Sequence, residues 1–539
     1  MAEPSHPRLL SLALAGILLL AALIRWPALN LGLPEFCNGD EAKLDQSARR
    51  MVQRLSLDPG NQNYPALMFD LAAAADFLSI LIPEIRAVIH LESRESFRYW
   101  IARQPLPMGR TVFWGRWLSL ACGLASLLLF HHVVRIHADA NAAILATFLL
   151  AVAPAHQWLS VLLKTDTLLL LALLLSLHAG FRIGQQGRNR DYALGALALG
   201  LALATKYYFL AAIPLVAGAA LNGAERSPWS RLRDRRLWLM LLFAGVLFAI
   251  LSPYSLIHWR EAVAWIAAES ASQAGAVPLF KRTTGRLWHA PGLFMLTSAL
   301  PFALGIPLYL LALAGLPDLF RLARPAKSAW LSFALGFLVI YSLGSKLGSP
   351  HIYFLIVPPL CLAGGLFLRR RLASPKLPRR ILWAVLLAIA AIYSLAFFRS
   401  YLEAEKRSLA AAAEYLHHQI PPGATAAVFT PYWPDRSLFP DTINFYPYSL
   451  LTPENLAAYH PDFVFAHQGW FRLALDNPEN LDVGYRTFPE LQAGKLGYTQ
   501  VWEITEPWDN ERLYGFLLPD LVNLFSFAAF QREDSAAAP

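Results

Sequence analysis

The sequence has few charged residues and few cysteines, and both shortages exclude certain classes of protein. Only 15% of its 539 residues are charged, whereas 56% are hydrophobic and the mean hydropathy is +0.40. Soluble globular domains carry about 25% charged residues, so the composition excludes a soluble protein. Three cysteines are too few and too scattered for a disulfide framework, because Cys37 lies near a predicted surface while Cys122 and Cys361 fall in separate apolar segments. A chain that crosses a membrane several times is therefore predicted.

Several familiar signatures are also missing from the sequence. We find no glycine-rich nucleotide loop, no Cys/His spacing typical of a metal site and no repeat in the hydropathy pattern. The first apolar segment, LLSLALAGILLLAALI, continues into RWPALN without a small-x-small cleavage signature. We therefore expect this segment to be a retained membrane anchor and not a removed signal peptide.

Basic residues are concentrated in some of the loops between apolar segments. FRIGQQGRNRD, ERSPWSRLRDRR, PDLFRLARPAKS and RRRLASPKLPRR belong in the cytoplasm by the positive-inside rule, whereas AHQWLSVLLKTD and GSKLGSPH carry one lysine each and belong outside. The net charge of +9 comes largely from the cytoplasmic loops. It therefore reflects topology and gives no argument for nucleic acid binding.

About eleven membrane crossings are predicted, with the amino terminus in the cytoplasm and the carboxyl terminus outside. Basic loops flank 192–222 on both sides, so this stretch should cross twice and turn near TKYY. After the anchor, the apolar stretches long enough for a hydrocarbon layer of about 30 Å are 111–134, 141–158, 166–181, 192–222, 237–256, 291–316, 329–344, 352–368 and 381–398. Three longer segments, 27–108, 257–290 and everything after about 399, then share the outer face.

After residue 398 the long apolar stretches give way to a pattern of one helix and several short strands. EKRSLAAAAEYLHHQIPPG is typical of a helix that ends at Pro-Pro-Gly, and the runs ATAAVF, DFVFAH and YTQVWEI are typical of strands. We expect the last apolar piece, LYGFLLPDLVNLFSFAAF, to pack on this domain or lie at the interface. The predicted fold is a polytopic all-α membrane domain, 1–398, followed by an extracytoplasmic α/β domain of about 110 residues within 399–539.

The predicted topology gathers ionisable residues at the outer ends of the spans, where such residues are functional candidates by default. Carboxylates and cations together suit a reaction in which an anionic phosphate leaves and a neutral hydroxyl attacks. These residues are Asp40, Glu41, Arg110, Arg116, Lys164, Asp166, Lys206, Lys346 and His351.

Structural explanations for the same residues stay open at this point. In CNGDEAKL, Asn38 stands three residues before Glu41, which fits a capping box at the start of a helix from about Glu41 to Leu55. Asp166 could likewise lie in a helix cap. Arg116 could extend to lipid headgroups, as could Arg110, and Lys346 and His351 could be ordinary loop residues.

A set of motifs nevertheless resembles a known class. The chain resembles the polyprenyl-phosphate-sugar-dependent glycosyltransferases of the GT-C class, in the branch of the protein O-mannosyltransferases and the lipid A aminoarabinose transferase. The similarity runs through nearly the whole length in a constant order. Its motifs are GDEA, SLDPGNQNYPALMFDL, GRWLSLACG, KTDTLLLL, LGLALATKYYFL, SPYSLIHW and SKLGSPHIYFLIVPPL.

The resemblance implies a role for most of the candidate residues. Asp40 would be the catalytic base, with Glu41 beside it in the acceptor or metal region, and Asp166 would be a second essential acid. The donor phosphate would be held by the cationic group, which is Lys206, Lys346, His351, Arg116 and Lys164. The aminoarabinose transferases carry a charged pair before a Pro-Pro in the first loop, but the corresponding stretch here is QNYPAL. A divalent cation is therefore left as an alternative, and no cofactor is firmly required.

The resulting hypothesis is an inverting glycosyltransferase at the outer face of a bacterial-type cytoplasmic membrane. It would take a hexosyl or pentosyl group from a polyprenyl-phosphate carrier and give it to a hydroxyl of a glycolipid, glycan or protein. A lipid-linked sugar flippase is the first alternative, although transporters usually show inverted repeats and broken helices. A non-catalytic assembly protein is the second, but that role leaves the charged span ends unexplained.

Overall fold

The computed structural model shows a helical domain joined to a smaller α/β domain. The structure describes residues 7–89, 93–222, 233–273, 290–344, 350–430, 432–446, 450–467, 483–505 and 526–534, and also Ser227, Ser230 and Arg231.

Within these residues, six helices are long and apolar enough to cross a membrane, or seven if one bent pair counts as a single span. This makes the chain a multi-pass membrane protein. The six candidate spans are Arg8–Ala28, Met108–His137, Asp166–Gln185, Arg324–Leu343, Tyr353–Leu372 and Leu377–His418. Other helices of this domain are Gly39–Arg54, Leu67–Leu81, Ile85–Ile89, Arg94–Ala102, Ala140–Val152, Pro154–Leu159, Asn189–Lys206, Ala212–Leu221, Arg235–Leu251, Pro253–Ile257 and Trp259–Gln273.

The predicted turn near TKYY is confirmed. The helix Asn189–Lys206 is followed by Tyr207, whose φ of 46° is left-handed, and a second apolar helix follows over Phe209–Leu221. Both helices are shorter than most of the candidate spans.

One predicted span is interrupted in the structure. The stretch 291–316 was expected to cross as one segment, but it forms two helices, Pro291–Leu304 and Ile306–Leu319, bent by 117°. Gly305 lies between them with a φ of +77°, a conformation that glycine adopts without steric cost. The bend therefore has a local cause.

The segment 27–108, predicted to lie outside, contains a three-residue strand, β1 (Phe36–Asn38), directly before the helix Gly39–Arg54. The predicted capping box is confirmed: Asn38 Oδ1 accepts from the Asp40 N–H at 3.0 Å, and Glu41 Oε2 accepts from the Asn38 N–H at 3.0 Å. This cap fixes the direction in which the first turn of the helix starts.

The carboxyl-terminal domain, which we call the outer domain after its predicted location, is built on a five-stranded sheet in the order β4-β2-β5-β7-β6. Strands β4, β2 and β5 run parallel to one another, and β7 runs antiparallel to both β5 and β6. The predicted strands in ATAAVF, DFVFAH and YTQVWEI are confirmed as β2, β5 and β6. The strands are β2 (Ala426–Phe429), β4 (Ile443–Tyr446), β5 (Phe463–Ala466), β6 (Tyr498–Thr505) and β7 (Ser526–Arg532).

Helices cover both faces of this sheet. The end of the helix Leu377–His418 packs on one face through Leu409 and Leu416, and the helices Pro453–Tyr459 and Val483–Gln492 pack on the other. Strand β7 accounts for the end of the last apolar piece of the sequence, and the rest of that piece lies outside the described residues. The carboxyl-terminal region is therefore a three-layer α/β domain.

The two domains are joined in two ways. The helix Leu377–His418 is continuous over 42 residues, so the domain boundary predicted at 398/399 falls inside it. In addition, β1 pairs antiparallel with β3 (Tyr432–Pro434), so that Asn38 lies opposite Tyr432. The sequence immediately before Asp40 is thereby part of a sheet completed by the outer domain.

Candidate active site

Asp40 lies in the first turn of the helix Gly39–Arg54 and is partly open to solvent. Its side chain is 33% exposed, and Oδ2 lies 2.8 Å from the Lys164 Nζ. Lys43 approaches the other oxygen at 3.5 Å. Lys164 is itself buried and lies 5.4 Å from the ring centre of Trp158, which supports its ammonium group by a cation–π contact. The carboxylate is therefore accessible while being held from one side by a fixed positive charge.

Glu41, the next residue, is completely buried and its carboxylate is saturated with donors. Arg116 binds it with two hydrogen bonds, Nε to Oε1 and Nη2 to Oε2, both 2.8 Å. The Leu163 N–H also donates to Oε1 at 2.8 Å. Arg116 Nη1 donates in turn to the Leu29 and Leu31 carbonyls at 3.0 and 2.8 Å. Glu41 and Arg116 thus tie together three separate segments of chain behind Asp40.

Asp166 and Lys206 form a second pair. Asp166 begins the helix Asp166–Gln185, and its Oδ1 lies 3.0 Å from the Nζ of Lys206, the last residue of the helix Asn189–Lys206. The Asp166 side chain is almost fully buried, whereas the Lys206 side chain is 29% exposed. The lysine therefore keeps part of its surface available to a ligand.

Tyr64 lies within electrostatic range of both Asp40 and Asp166. Burial raises the pKa of its phenol well above the ordinary value, and the negative charges of Asp40, Asp166 and Glu269 raise it further. All three carboxylates consequently lie within electrostatic range of one phenol, which stays protonated and able to donate. Glu269, on the helix Trp259–Gln273, is a carboxylate that the sequence analysis did not single out.

The NYPAL stretch around Tyr64 is held from outside its own loop. Ser252 Oγ, fully buried, accepts a hydrogen bond from the Ala66 N–H at 3.0 Å. The Tyr207 hydroxyl donates to Ser255 Oγ at 3.2 Å. SPYSLIHW thus supplies a buried anchor for this stretch through Ser252, and Tyr207 of LGLALATKYYFL is bonded to Ser255 of the same motif. Sequence reasoning identified these motifs but not the bonding roles of Ser252 and Tyr207.

Six of the eight predicted site residues can be placed by their side chains, and the structure brings them together. They form three ion pairs: Asp40 with Lys164, Glu41 with Arg116 and Asp166 with Lys206. Lys346 lies outside the described residues. His351 is the second residue of the short helix Pro350–Ile356, and its side chain is likewise outside what the structure describes.

A bound metal ion requires several donor side chains close to one another. Among the described residues, no group of three His, Cys, Asp or Glu side chains is spaced to hold a metal ion. Glu41 and Asp166 each contact a cationic side chain, and so does Asp40. The divalent cation therefore stays a prediction.

The fold and the site together define a multi-pass membrane protein with acid–lysine pairs gathered beneath an α/β domain. A sequence family described as dolichyl-phosphate-mannose-protein mannosyltransferase matches residues 98–257. This range is well under half of the chain and contains Arg116, Lys164, Asp166 and Lys206, whereas Asp40 precedes it. The match confirms the resemblance to lipid-phosphate-sugar-dependent glycosyltransferases.

Two solved structures are similar to the chain at low sequence identity. The archaeal oligosaccharyltransferase AglB from Archaeoglobus fulgidus, in complex with an inhibitory peptide and a dolichol-phosphate, is 13% identical with a TM-score of 0.47, over 86% of this chain and 71% of that chain. ArnT from Cupriavidus metallidurans, bound to undecaprenyl phosphate, is 12% identical with a TM-score of 0.46, over 97% and 99%. No curated protein sequence matches the chain.

Proposed function

We propose that the chain is an inverting glycosyltransferase that moves a sugar from a polyprenyl-phosphate carrier to an acceptor hydroxyl. The reaction would take place at the outer face of a bacterial-type cytoplasmic membrane, on a protein with about eleven crossings and a cytoplasmic amino terminus. The family match supports the class of donor, since its description names a dolichyl-phosphate sugar. The observation that carries the proposal is the partly exposed Asp40 carboxylate, fixed 2.8 Å from Lys164 beside the Asp166–Lys206 pair.

Asp40 is assigned as the base because it is the more accessible of the two neighbouring carboxylates. The acceptor oxygen attacks the anomeric carbon as its proton passes to Asp40. The bond between that carbon and the phosphate oxygen breaks on the opposite side, and its electron pair leaves with the polyprenyl phosphate. A carboxylate paired with a lysine is a weak base, so the proton moves late, after the sugar has gained positive character.

The leaving phosphate requires cations that are held in place and still reachable. Lys206 meets this requirement because it is 29% exposed and fixed by Asp166. Lys164 is buried and paired with Asp40, so it would add positive charge to the site without direct contact with the phosphate. Such preorganised charges stabilise the anion that develops in the transition state. We extend the role to Lys346 and His351 on the basis of the sequence motif alone.

Arg116 is assigned differently from the phosphate-binding role expected from the sequence. Its guanidinium is 1% exposed and binds Glu41 together with the Leu29 and Leu31 carbonyls. A phosphate would have to displace these bonds in order to reach it. We therefore assign Arg116 and Glu41 to holding the first turn of the helix that carries Asp40.

The test uses purified protein in detergent, a panel of polyprenyl-phosphate hexoses and pentoses, and a panel of glycolipid, glycan and peptide acceptors. Mass spectrometry follows free polyprenyl phosphate and glycosylated product. Wild type is expected to release the carrier, and Asp40→Asn is expected to lose about 100-fold or more of the rate. Asp441→Asn, an exposed residue of the outer domain, is the matched control and should keep wild-type turnover.

Near wild-type turnover in Asp40→Asn would overturn the assignment of the base. Donor binding without release, with every acceptor present, would favour a lipid-linked sugar flippase. One observation suits that second function: the 117° bend at Gly305 resembles the broken helices that transporters use. Movement of a fluorescent donor across proteoliposomes, in the absence of acceptor, would decide between the two functions.

A further inference from the structure

The strand before Asp40 is shared between the two domains. β1 ends at Asn38, two residues before Asp40, and it pairs with β3 of the outer domain over Phe36–Asn38. Phe36 is buried in the core of the outer domain, with its ring 5.7 Å from that of Phe439. The helix Gly39–Arg54, which carries Asp40, therefore starts from a strand that the membrane domain does not complete alone.

Asp435, directly after β3, bridges two segments of the membrane domain. Its N–H donates to the Glu35 carbonyl at 2.9 Å, which extends the pairing of β1 with β3. Its Oδ2 accepts from the Met108 N–H at 3.2 Å, at the start of the helix Met108–His137. Its Oδ1 accepts from Ser437 N and Oγ at 3.2 and 2.6 Å, which fixes the rotamer of the carboxylate.

These contacts continue to Asp40 through buried groups. The helix that Asp435 caps also carries Arg116, whose guanidinium holds Glu41 with two hydrogen bonds of 2.8 Å. A carboxylate at a helix N-terminus binds otherwise unpaired N–H groups and interacts favourably with the helix dipole. Asp435 thus fixes the start of one helix and the strand that leads into the other.

We propose that Asp435 is a positioning residue for Asp40, so that the outer domain completes the catalytic loop, by which we mean β1 and the first turn of the helix Gly39–Arg54. This inference rests on the proposed function for its catalytic consequence. Asp435 lies behind the loop, bonded to backbone groups, and acts on the geometry of the base. A displacement of about 1 Å in a catalytic group can cost about 100-fold in rate, so a loosened loop should lower kcat while donor binding is preserved.

The test compares Asp435→Ala, Asp435→Asn and Asp462→Ala in the full-length protein. Asparagine keeps an oxygen that can accept from the Met108 N–H, whereas alanine removes it. Asp462 is the matched control, because it accepts from Thr425 N at 2.9 Å and pairs with Arg532 at 3.0 Å, both inside the outer domain. Its loss weakens that domain without touching β1.

Asp435→Ala is expected to lower kcat by roughly 10- to 100-fold, with the donor KM changed by less than about twofold. Asp435→Asn should restore most of kcat, and Asp462→Ala should keep both constants. Equal losses of kcat in Asp435→Ala and Asp462→Ala would overturn the proposal, because general weakening of the outer domain would then explain both.

A second readout does not depend on transfer. Cys37 is buried in the middle of β1, with its Sγ 3.5 Å from the Met108 Sδ. Burial raises the pKa of its thiol well above the ordinary value, so alkylation of the folded protein is slow. Asp435→Ala removes the hydrogen bond from the Met108 N–H to the charged carboxylate, so β1 should open locally more often. The alkylation rate of Cys37 should therefore rise by roughly tenfold or more in this variant.

Peptide mapping after treatment with N-ethylmaleimide measures this rate, with buried Cys122 and Cys361 as internal controls. Unchanged labelling of Cys37 in Asp435→Ala would overturn the positioning role. If wild type releases no carrier from any donor, the proposed function fails, and the labelling experiment still decides whether Asp435 holds β1.

Discussion

Asp40 and Glu41 are neighbours in the chain, and the structure gives their carboxylates opposite surroundings. Asp40 is 33% exposed and contacts two lysines, whereas Glu41 is fully buried and contacts Arg116 and two backbone N–H groups. One carboxylate is therefore available to a ligand, while the other is part of the support of the loop. Substitutions at the two positions should consequently have different effects.

Glu41→Gln should destabilise the protein. The change leaves the buried Arg116 guanidinium without its counter-charge, and breaking such a pair costs about 3–5 kcal/mol. Denaturation followed by tryptophan fluorescence measures the free energy of unfolding. Glu414→Gln, at an exposed position of the helix Leu377–His418, should change it by less than about 0.5 kcal/mol. Equal stability of Glu41→Gln and wild type would contradict the structural role of Glu41.

Lys164→Met should lower kcat far more than Lys43→Met. Both lysines contact Asp40, but Lys164 is 7% exposed at 2.8 Å, whereas Lys43 is 42% exposed at 3.5 Å. Exposed ion pairs contribute about 0–1 kcal/mol, so the loss of Lys43 should change the rate by less than about fivefold. Release of polyprenyl phosphate under saturating donor measures both variants. Similar rates for the two would show that the Lys164–Asp40 contact is not used in turnover.

Asp45 should make stability depend on pH. Burial raises the pKa of its carboxyl to about 7 from a model-compound value of 3.8, although Arg49 partly opposes the shift. The unfolded chain then binds fewer protons between these values, so stability falls as pH rises from about 4 to about 7, by up to roughly 4 kcal/mol. Thermal unfolding between pH 5 and 8 should show a flatter profile in Asp45→Asn.

Asp462 provides a control of opposite sign. The backbone hydrogen bond from Thr425 lowers the pKa of Asp462, so its contribution to stability is lost as pH falls. Asp462→Asn should therefore flatten only the acid side of the profile. If the stability of the wild type rises between pH 5 and 7 and follows the same profile as Asp45→Asn, the raised pKa assigned to Asp45 is refuted.

Ser252→Ala should weaken the NYPAL loop. The buried Ala66 N–H would lose its acceptor, and an unsatisfied buried donor costs about 1–3 kcal/mol. We expect a lower melting temperature and a lower kcat, measured on the same preparation. Ser230→Ala, at an exposed position bonded to Ser227, should leave both unchanged. A wild-type melting temperature in Ser252→Ala would show that the bond to Ala66 contributes little.

Much of this architecture could be predicted from the sequence because its signals are local. The capping box needs only Asn38 and Glu41, three residues apart, and the turn after Lys206 follows from basic loops on both sides of one apolar stretch. The strands β2, β5 and β6 coincide with short apolar runs between turn residues. In each case the information lies within one turn or one span of the chain.

The remaining features depend on contacts between distant segments. β1 and β3 have three residues each and lie almost four hundred positions apart, so no periodicity reveals their pairing. Arg116 illustrates a different limit, since an arginine near a span end has the same sequence pattern whether it reaches lipid headgroups or a buried carboxylate. The break at Gly305 was missed because a single glycine is common within apolar spans.

The continuous helix Leu377–His418 links the candidate membrane spans directly to the outer domain. At about 1.5 Å per residue it is about 63 Å long, roughly twice the hydrocarbon thickness of a bilayer. Its inner part lies among the candidate spans, and its outer part packs beneath the sheet that completes β1. A thinner bilayer tilts a spanning helix and a thicker one brings it upright. We therefore expect lipid chain length to affect the tilt of this helix and, through β1, the geometry around Asp40.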